Sequence, residues 1–315
     1  MLHTILGAGG SIGNALAYKL LKEGKKVRLV SRSNFSIPGA ESYKADITSY
    51  PDLLESMRHS DVAYLCVGLP YDSKIWKEVW PKIMKNTINA CKATGAKLIF
   101  FDNVYMYGRV DGKMIETTPY KPSSKKGEIR AYLAMLLENE IAQKNITASI
   151  ARAADLYGPF ATKTSIPYVM VFEKQMQGKR AQWMVNTNHS HSYTYTIDCA
   201  NGLYLLAHDP NSFNQVWHLP TYNPGIDGKT LINMAAKESG VEPNYMVLPK
   251  IAIRIFGLFN RPISEVYEML YQTEFDYYFD SSKFNSHFNY QPKSYEMGIK
   301  ETIEWLKNSS NIPGS

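Results

Sequence analysis

The chain opens on a short apolar run, Leu2–Leu6, and then reads Gly7-Ala8-Gly9-Gly10-Ser11-Ile12-Gly13. A strand, a glycine turn and a helix start in that order can hold a pyrophosphate. The glycines let the backbone approach the ligand closely. The helix end presents N–H groups without intrahelical partners and a partial positive charge. The spacing Gly7-x-x-Gly10-x-x-Gly13 departs from G-x-G-x-x-G, which counted from Gly7 would need glycine at Ile12. The strand before it and the amphipathic helix after it supply the context that a glycine motif needs.

The second strand runs out into Val30-Ser31-Arg32-Ser33. A carboxylate here would bind the ribose 2′-hydroxyl of NAD, whereas a guanidinium accommodates a 2′-phosphate. Ser31 and Arg32, with no acid beside them, predict NADP(H) as the preferred cofactor and NAD(H) as the alternative.

These residues need a frame. Strands are expected at 2–6, 27–30, 42–45, 62–67, 97–101 and 147–151. Helices are expected at 11–22, 50–57, 76–94 and 128–144, the third ended by Gly95. The run at 62–67 is continuously apolar, as in a strand buried on both faces. This alternation predicts an α/β fold, a Rossmann-type doubly wound parallel sheet. Past Leu156 the order becomes irregular, punctuated by Pro159, Pro167, Pro210, Pro220, Pro224, Pro243, Pro249 and Pro262. The expected organisation is a dinucleotide domain over 1–155 and a smaller C-terminal substrate lobe over 156–307. Some lobe segments return to the main sheet, and a disordered tail occupies 308–315.

Composition excludes several classes. Lys+Arg is 35 and Asp+Glu 29 among 315 residues, a net charge of +6. The basic residues are scattered in runs no longer than pairs such as Lys25-Lys26 and Lys125-Lys126, unlike a nucleic-acid binder. Three cysteines, Cys66, Cys91 and Cys199, fit neither a disulfide framework nor a metal motif, so a reduced cytoplasmic setting is expected. His189-x-His191 lacks companions at ligand spacing, and no metal is expected. No leader is visible, and no apolar stretch is long enough to span a membrane, so no membrane partner is expected. The aromatic stretch 267–279 reads as packing between lobes, and Asp198 and Arg152 as structural groups. A homodimer is compatible with all of this.

With these pieces assembled, the chain resembles the extended, atypical short-chain dehydrogenase/reductase family, of the NAD-dependent epimerase/dehydratase type, from Leu2 to about Leu306. The segments that carry the likeness are 7–13, Asp46-Ile47, 101–108 (FDNVYMYG), 152–159 (RAADLYGP), 195–202 and 280–306. The resemblance implies that Asp46 and Ile47 contact adenine. It also implies that Cys66-Val67-Gly68 lies along the phosphate–ribose run of the cofactor. The cofactor set is then Gly7, Gly9, Gly10, Ser11, Ile12, Gly13, Ser31, Arg32, Asp46, Ile47, Cys66, Val67 and Gly68.

The same alignment departs from the family at the reacting groups. Family members carry Tyr-x-x-x-Lys on a helix and a Ser or Thr after the fifth strand. Here the Ser position falls on Asn103, the Tyr on Lys126 and the Lys on Arg130. The one literal Tyr-x-x-x-Lys, Tyr18 to Lys22, lies on the first helix and is read as coincidence. Lys126 and Arg130 are four apart and share a helix face. Arg stays protonated, so Lys126 is expected to yield its proton more readily and to serve as a general acid/base. Asn103 would hydrogen-bond the substrate, and Tyr105 or Tyr107 is an alternative proton donor. Tyr107, Tyr157 and His191 are the substrate candidates. His191 stands where sugar-nucleotide epimerases carry an Arg against the substrate diphosphate.

Three functions follow. The first is an NAD(P)-dependent oxidoreductase or epimerase acting on a small hydroxyl- or carbonyl-bearing substrate. The second is a catalytically silent NADP(H)-binding sensor or scaffold. The third is a sugar-nucleotide epimerase.

Overall fold

The computed structural model describes residues 1–33, 35–162 and 165–310. They form two compact units. The first comprises 1–108, 119–152 and 199–219, and the second 109–118, 153–198 and 220–315.

The first unit is built on a seven-stranded sheet. Its strands are β1 (Leu2–Leu6), β2 (Lys26–Ser31), β3 (Glu41–Lys44), β4 (Val62–Leu65), β5 (Lys97–Asp102), Ala148–Arg152 and Val216–His218. The spatial order from one edge is β3, β2, β1, β4, β5, Ala148–Arg152, Val216–His218. Every pairing is parallel. All four residues of β4 are buried, as its unbroken apolar run requires. The strand order reverses between β1 and β4. In open α/β sheets ligands bind at such a switch point, beyond the carboxyl ends of the strands.

The helices of this unit are α1 (Ser11–Lys22), α2 (Tyr50–Ser56), α3 (Ser73–Thr94) and α4 (Lys125–Ala142). α1 buries Ile12, Ala15, Leu16 and Leu20, one face at helical spacing. α3 starts ahead of its apolar pattern because the Asp72 side chain accepts from the backbone N–H groups of Lys74 and Ile75. It stops at Gly95, whose left-handed φ of 74° suits glycine. α4 begins three residues before the expected 128. Ser124 Oγ accepts from the Gly127 N–H at 3.0 Å and so caps the helix early. That cap places Lys126 in the first helical turn. Trp80, Met84, Leu98, Phe100, Leu133 and Ile150 belong to the core of this unit.

The second unit contains short strand pairs. Asp155–Tyr157 pairs with Tyr193–Tyr195, Ala181–Met184 with Tyr245–Leu248, Ser190–His191 with Ile226–Asp227, and Lys113–Met114 with Tyr278–Phe279. Tyr157, Phe172, Trp183, Ile232 and Ile299 share its core. Asp198 accepts from Tyr290 Oη at 2.7 Å and from the Lys293 N–H at 2.8 Å, a structural role as expected. In the aromatic stretch, Phe275 lies 3.5 Å under the Arg109 guanidinium and Tyr277 stacks on His191. These are contacts within the second unit. The helix Tyr295–Ser310 carries straight through 308–310, where the disordered tail was expected to start. The remainder of that expected tail, 311–315, lies outside the described residues.

Candidate dinucleotide and proton-transfer site

The glycine loop is shaped by close approach. Gly7 has φ 99°, and a β-carbon on it would stand 2.5 Å from Val67 Cα. No other residue can occupy that place, because both the backbone angle and the space are denied to a side chain. The loop after β1 is therefore pressed onto the end of β4, at the switch point. Gly13 is constrained from the other side, since its β-carbon would stand 2.8 Å from the Gly7 carbonyl oxygen. The Gly7 and Ala8 N–H groups both donate to the Val30 carbonyl at 3.1 Å, which ties the loop to β2. Gly9, φ 90°, donates its N–H to Asn14 Oδ1 at 3.0 Å. Gly10 caps α1 without a side chain, so the first turn, Ser11, Ile12 and Gly13, presents backbone to whatever lies before it.

The other cofactor candidates lie around this loop. Cys66 is buried, and burial pushes its thiol well up, so its part is backbone and packing. Arg32 and Asp46 are exposed at the ends of β2 and β3, and Ile47 is buried. Asp46 accepts from the Thr48 N–H at 2.9 Å and the Thr48 hydroxyl at 2.8 Å. These bonds, with a smaller contribution from Arg32, hold its carboxyl below the usual carboxylate range. Asn86, on α3, donates to the carbonyls of Ile47 and Thr48 and fixes this turn. Ser31 Oγ donates to the Ser33 carbonyl at 2.5 Å.

Asn103 and Tyr105 form a turn beyond the end of β5, and the start of α4 packs on it. Asn103 Oδ1 accepts from the Tyr105 N–H at 3.1 Å. Tyr105 and Trp76 stack with planes 13° apart. Gly127 brings α4 against this turn, since a β-carbon there would meet the Tyr105 carbonyl at 2.5 Å. Lys126 is buried, and its ammonium stands 4.4 Å from the centroid of the Tyr71 ring.

Arg130 faces elsewhere. Its Nη1 donates to Asp102 Oδ1 at 3.1 Å, and the rings of Trp80 and Trp76 lie 4.1 and 4.9 Å from its guanidinium. The strand register sets Asp102, Arg152 and His218 side by side. Arg152 Nε is 3.9 Å from Asp102 Oδ2, so one buried carboxylate serves two guanidinium groups. Burial pushes the Asp102 carboxyl up, and the two cations pull against it. Arg152 also donates to Tyr107 Oη at 2.6 Å, and Tyr107 Oη in turn bonds His218 Nε2 at 2.7 Å. Arg152 donates as well to Tyr120 Oη, which donates to Glu138 Oε1 at 2.5 Å. Tyr107 thus belongs to a buried charge network. The structure sets the first turn of α4, which carries Lys126, against the Asn103–Tyr105 turn, and sets Arg130 and Tyr107 into the core.

The remaining substrate candidates lie in the second unit. Tyr157 is buried among Tyr195 and Tyr295, and its Oη is where a β-carbon on Gly298 would be, 2.3 Å away. His191 is buried, with Nε2 at 3.1 Å from Asp155 Oδ2 and Nδ1 at 3.1 Å from the Gln272 carbonyl. Both of its ring nitrogens face acceptors within its own unit. Among the described residues no group of three His, Cys, Asp or Glu is placed to hold a metal.

Sequence reading passed over Asp102, Gly127 and Asn86. Asp102 had a signal, a lone acid ending an apolar strand. Gly127 and Asn86 had none that a single sequence exposes.

The family model described as the NAD dependent epimerase/dehydratase family matches residues 3–219, from the first strand of the sheet through the last. The chain belongs to this family. Comparison with curated proteins finds no match. Among solved structures, UDP-glucose 4-epimerase from Thermus thermophilus in complex with NAD has a TM-score of 0.80 at 17% identity, covering 98% of this chain and 100% of that one. dTDP-glucose 4,6-dehydratase from Streptomyces venezuelae has a TM-score of 0.81 at 15% identity, covering 98% and 97%. UDP-glucose 4-epimerase from Thermotoga maritima with UDP-glucose has a TM-score of 0.81 at 18% identity, covering 99% and 100%. At these identities the likeness establishes the fold, a Rossmann sheet with its appended second unit, over nearly the whole chain.

Proposed function

We propose that this family member binds a nicotinamide dinucleotide, NADP(H) in preference to NAD(H), and exchanges hydride with a hydroxyl- or carbonyl-bearing sugar nucleotide. The approach of Gly7 to Val67 carries the reading. It holds the glycine turn against the end of β4 at the switch point of the sheet, and the α1 N-terminus beside it, capped by Gly10 without a side chain, suits a pyrophosphate. The similar structures named with NAD or UDP-glucose support the cofactor and favour a sugar nucleotide over a generic small substrate.

When bound, the nicotinamide supplies the hydride chemistry. The chain supplies the rest. The first turn of α1 binds the pyrophosphate, and Arg32 engages the 2′-phosphate. Asn103 spends its oxygen on the Tyr105 N–H and has its amide nitrogen to offer a substrate oxygen. Lys126 holds or moves the proton at Nζ, with Tyr105 as the neighbouring phenol. The rings of Tyr71, Trp76 and Tyr105 around them exclude water. The substrate diphosphate needs a partner other than His191, whose ring is committed to Asp155 and Gln272.

A second reading is a catalytically silent dinucleotide-binding protein. The turn of Arg130 into the Asp102 pair favours it, because the helix position that would carry the family's Lys then has no cation directed out of the core. Saturation-transfer NMR with UDP- and dTDP-sugars, in the presence of NADPH, separates the readings. Binding that depends on the sugar supports the enzyme. Binding of cofactor alone supports the silent form.

A further inference from the structure

Both histidines of the His189-x-His191 motif are spent on one joint of the second unit, where the stretch 272–277 lies on the stretch 189–192. The backbone closes part of this joint. The Tyr277 N–H donates to the Ser190 carbonyl at 2.8 Å, and the Ser192 N–H to the Tyr277 carbonyl at 2.9 Å. Side chains close the rest. The Ser190 N–H donates to Asp276 Oδ1 at 2.9 Å, and His189 Nδ1 stands 3.2 Å from the same oxygen. His191 Nδ1 stands 3.1 Å from the Gln272 carbonyl.

His191 has a second acceptor on its other side, Asp155 Oδ2, 3.1 Å from Nε2. A carbonyl oxygen only accepts, and so does an ionised carboxylate. A neutral imidazole has one N–H to give, and an imidazolium has two. Both contacts are hydrogen bonds to an ionised Asp155 only when the ring carries two protons. The surroundings suit that charge. The ring is buried between the rings of Tyr193 and Tyr277, with centroids 4.4 and 4.8 Å away, and Asp155 is its counter-ion. His189 likewise faces a carboxylate. The Ser190 N–H first, and then the His189 ring, hold the Asp276 carboxyl below the usual carboxylate range. On its other side is Phe275, which carries the Arg109 guanidinium. The neighbouring elements add Glu274, paired with Lys250, and Asp227, whose carboxylate accepts from Thr230.

We propose that His189 and His191 form a pH-dependent clasp, which fastens the stretch 272–277 while both rings are protonated and loosens it as they lose their protons. When His191 gives up a proton, the Gln272 carbonyl and the Asp155 carboxylate compete for one N–H, and a lone pair is left facing a buried acceptor. When His189 gives up its proton, the Asp276 contact loses its charge. The direction follows from these two losses. The joint is tight in mildly acid solution and loose in mildly alkaline solution, the range in which histidine changes charge. The clasp lies within the second unit and works without cofactor or substrate.

Nitrogen-15 NMR of the full chain, labelled at histidine, reads the rings directly. At about pH 5.5 both ring nitrogens of His191 should carry protons, and at about pH 8.5 only one. Hydrogen exchange followed by mass spectrometry reads the joint. Corrected for the intrinsic rate, protection of the Tyr277 and Ser192 amides should fall at least about tenfold from the acid to the alkaline end, the worth of a charge-assisted bond. Strand β4, in the first unit, should show no such step. His189→Gln, at a half-exposed position, should keep the fold and shrink the step. His191→Gln should abolish it, with low protection at both ends. If His191→Gln unfolds, the NMR, the wild-type exchange and His189→Gln decide. A single proton on His191 at the acid end overturns the proposal. So does equal protection at both ends, or a step left whole by either folded variant.

Discussion

Arg130 Nη1 and Asp102 Oδ1 are 3.1 Å apart in the core of the first unit, with the two tryptophans of α3 against the guanidinium. This pair decides what the Arg130 position can do. The Arg130 guanidinium joins α4 to the Asp102 carboxylate at the end of β5. Arg152 depends on the same carboxylate. Removing Asp102 would leave two buried guanidinium groups without a counter-charge. Asp102→Ala should therefore cost about 3–5 kcal/mol of stability, the range found when one partner of a buried pair is deleted. Urea unfolding measures it, and a midpoint unchanged from wild type would show that the network carries no such weight.

Gly7→Ala tests the switch point. The substitution meets both a positive φ and a backbone 2.5 Å away, so the loop must move off Val67. Loss of at least about 2 kcal/mol of stability is expected, with cofactor affinity reduced more than tenfold. Gly9→Ala is the milder partner. Its β-carbon would meet only the Phe35 ring, at 3.5 Å, so it should lose affinity through backbone strain alone. Equal affinity in wild type and Gly7→Ala would place the ligand elsewhere.

Six of the seven strands of the sheet were legible as short runs alternating with helices; Val216–His218 was not, because it is three residues long and far along the chain from its partner Ala148–Arg152. α1 falls where the pattern puts it, and the two largest shifts at a helix start, three residues each at α3 and α4, are caps by Asp72 and Ser124. The second unit was less legible. Its strands are two to four residues long and pair across large separations, so neither period nor composition marks them. At the site, the glycine turn falls between β1 and α1, as its spacing requires. What the sequence could not give is side-chain direction. Lys126 and Arg130 share a helix face by spacing, yet one stands over Tyr71 and the other is drawn inward by Asp102. Partners brought from another strand choose between the two.

Lys126→Met removes the ammonium and keeps most of its volume. If Lys126 transfers the proton, turnover of any substrate identified by the sugar-nucleotide screen should fall by at least about a hundredfold. Affinity for NADPH should stay within a few-fold of wild type, since the proposed cofactor contacts are the glycine loop and Arg32, not Lys126. Full turnover in this variant would move the role to Tyr105.

Stability should carry a histidine signature. His3, buried on β1, bonds Tyr64 Oη at 2.9 Å and stacks on His208. Burial first, and then the neighbouring His208, lower its pKa from 6.5 to about 4. The folded ring stays neutral while a histidine in the unfolded chain takes up a proton near its ordinary pKa. This contribution is whole above about pH 6.5 and is lost as the pH falls from there toward 4. His3→Gln should flatten the fall in melting temperature between neutral and mildly acid buffer. Identical pH profiles for the two proteins would remove His3 from the account.

Calorimetric titration of the purified chain with NADPH and with NADH tests the central claim most directly. NADPH should bind, and more tightly than NADH. Arg32→Ala should weaken NADPH by roughly ten- to a hundredfold, the worth of a charge-assisted phosphate contact, and leave NADH unchanged. Tighter NADH, or no effect of Arg32→Ala, would contradict the cofactor preference. No heat and no competition with either dinucleotide would contradict the claim that the loop at the end of β1 is a dinucleotide site.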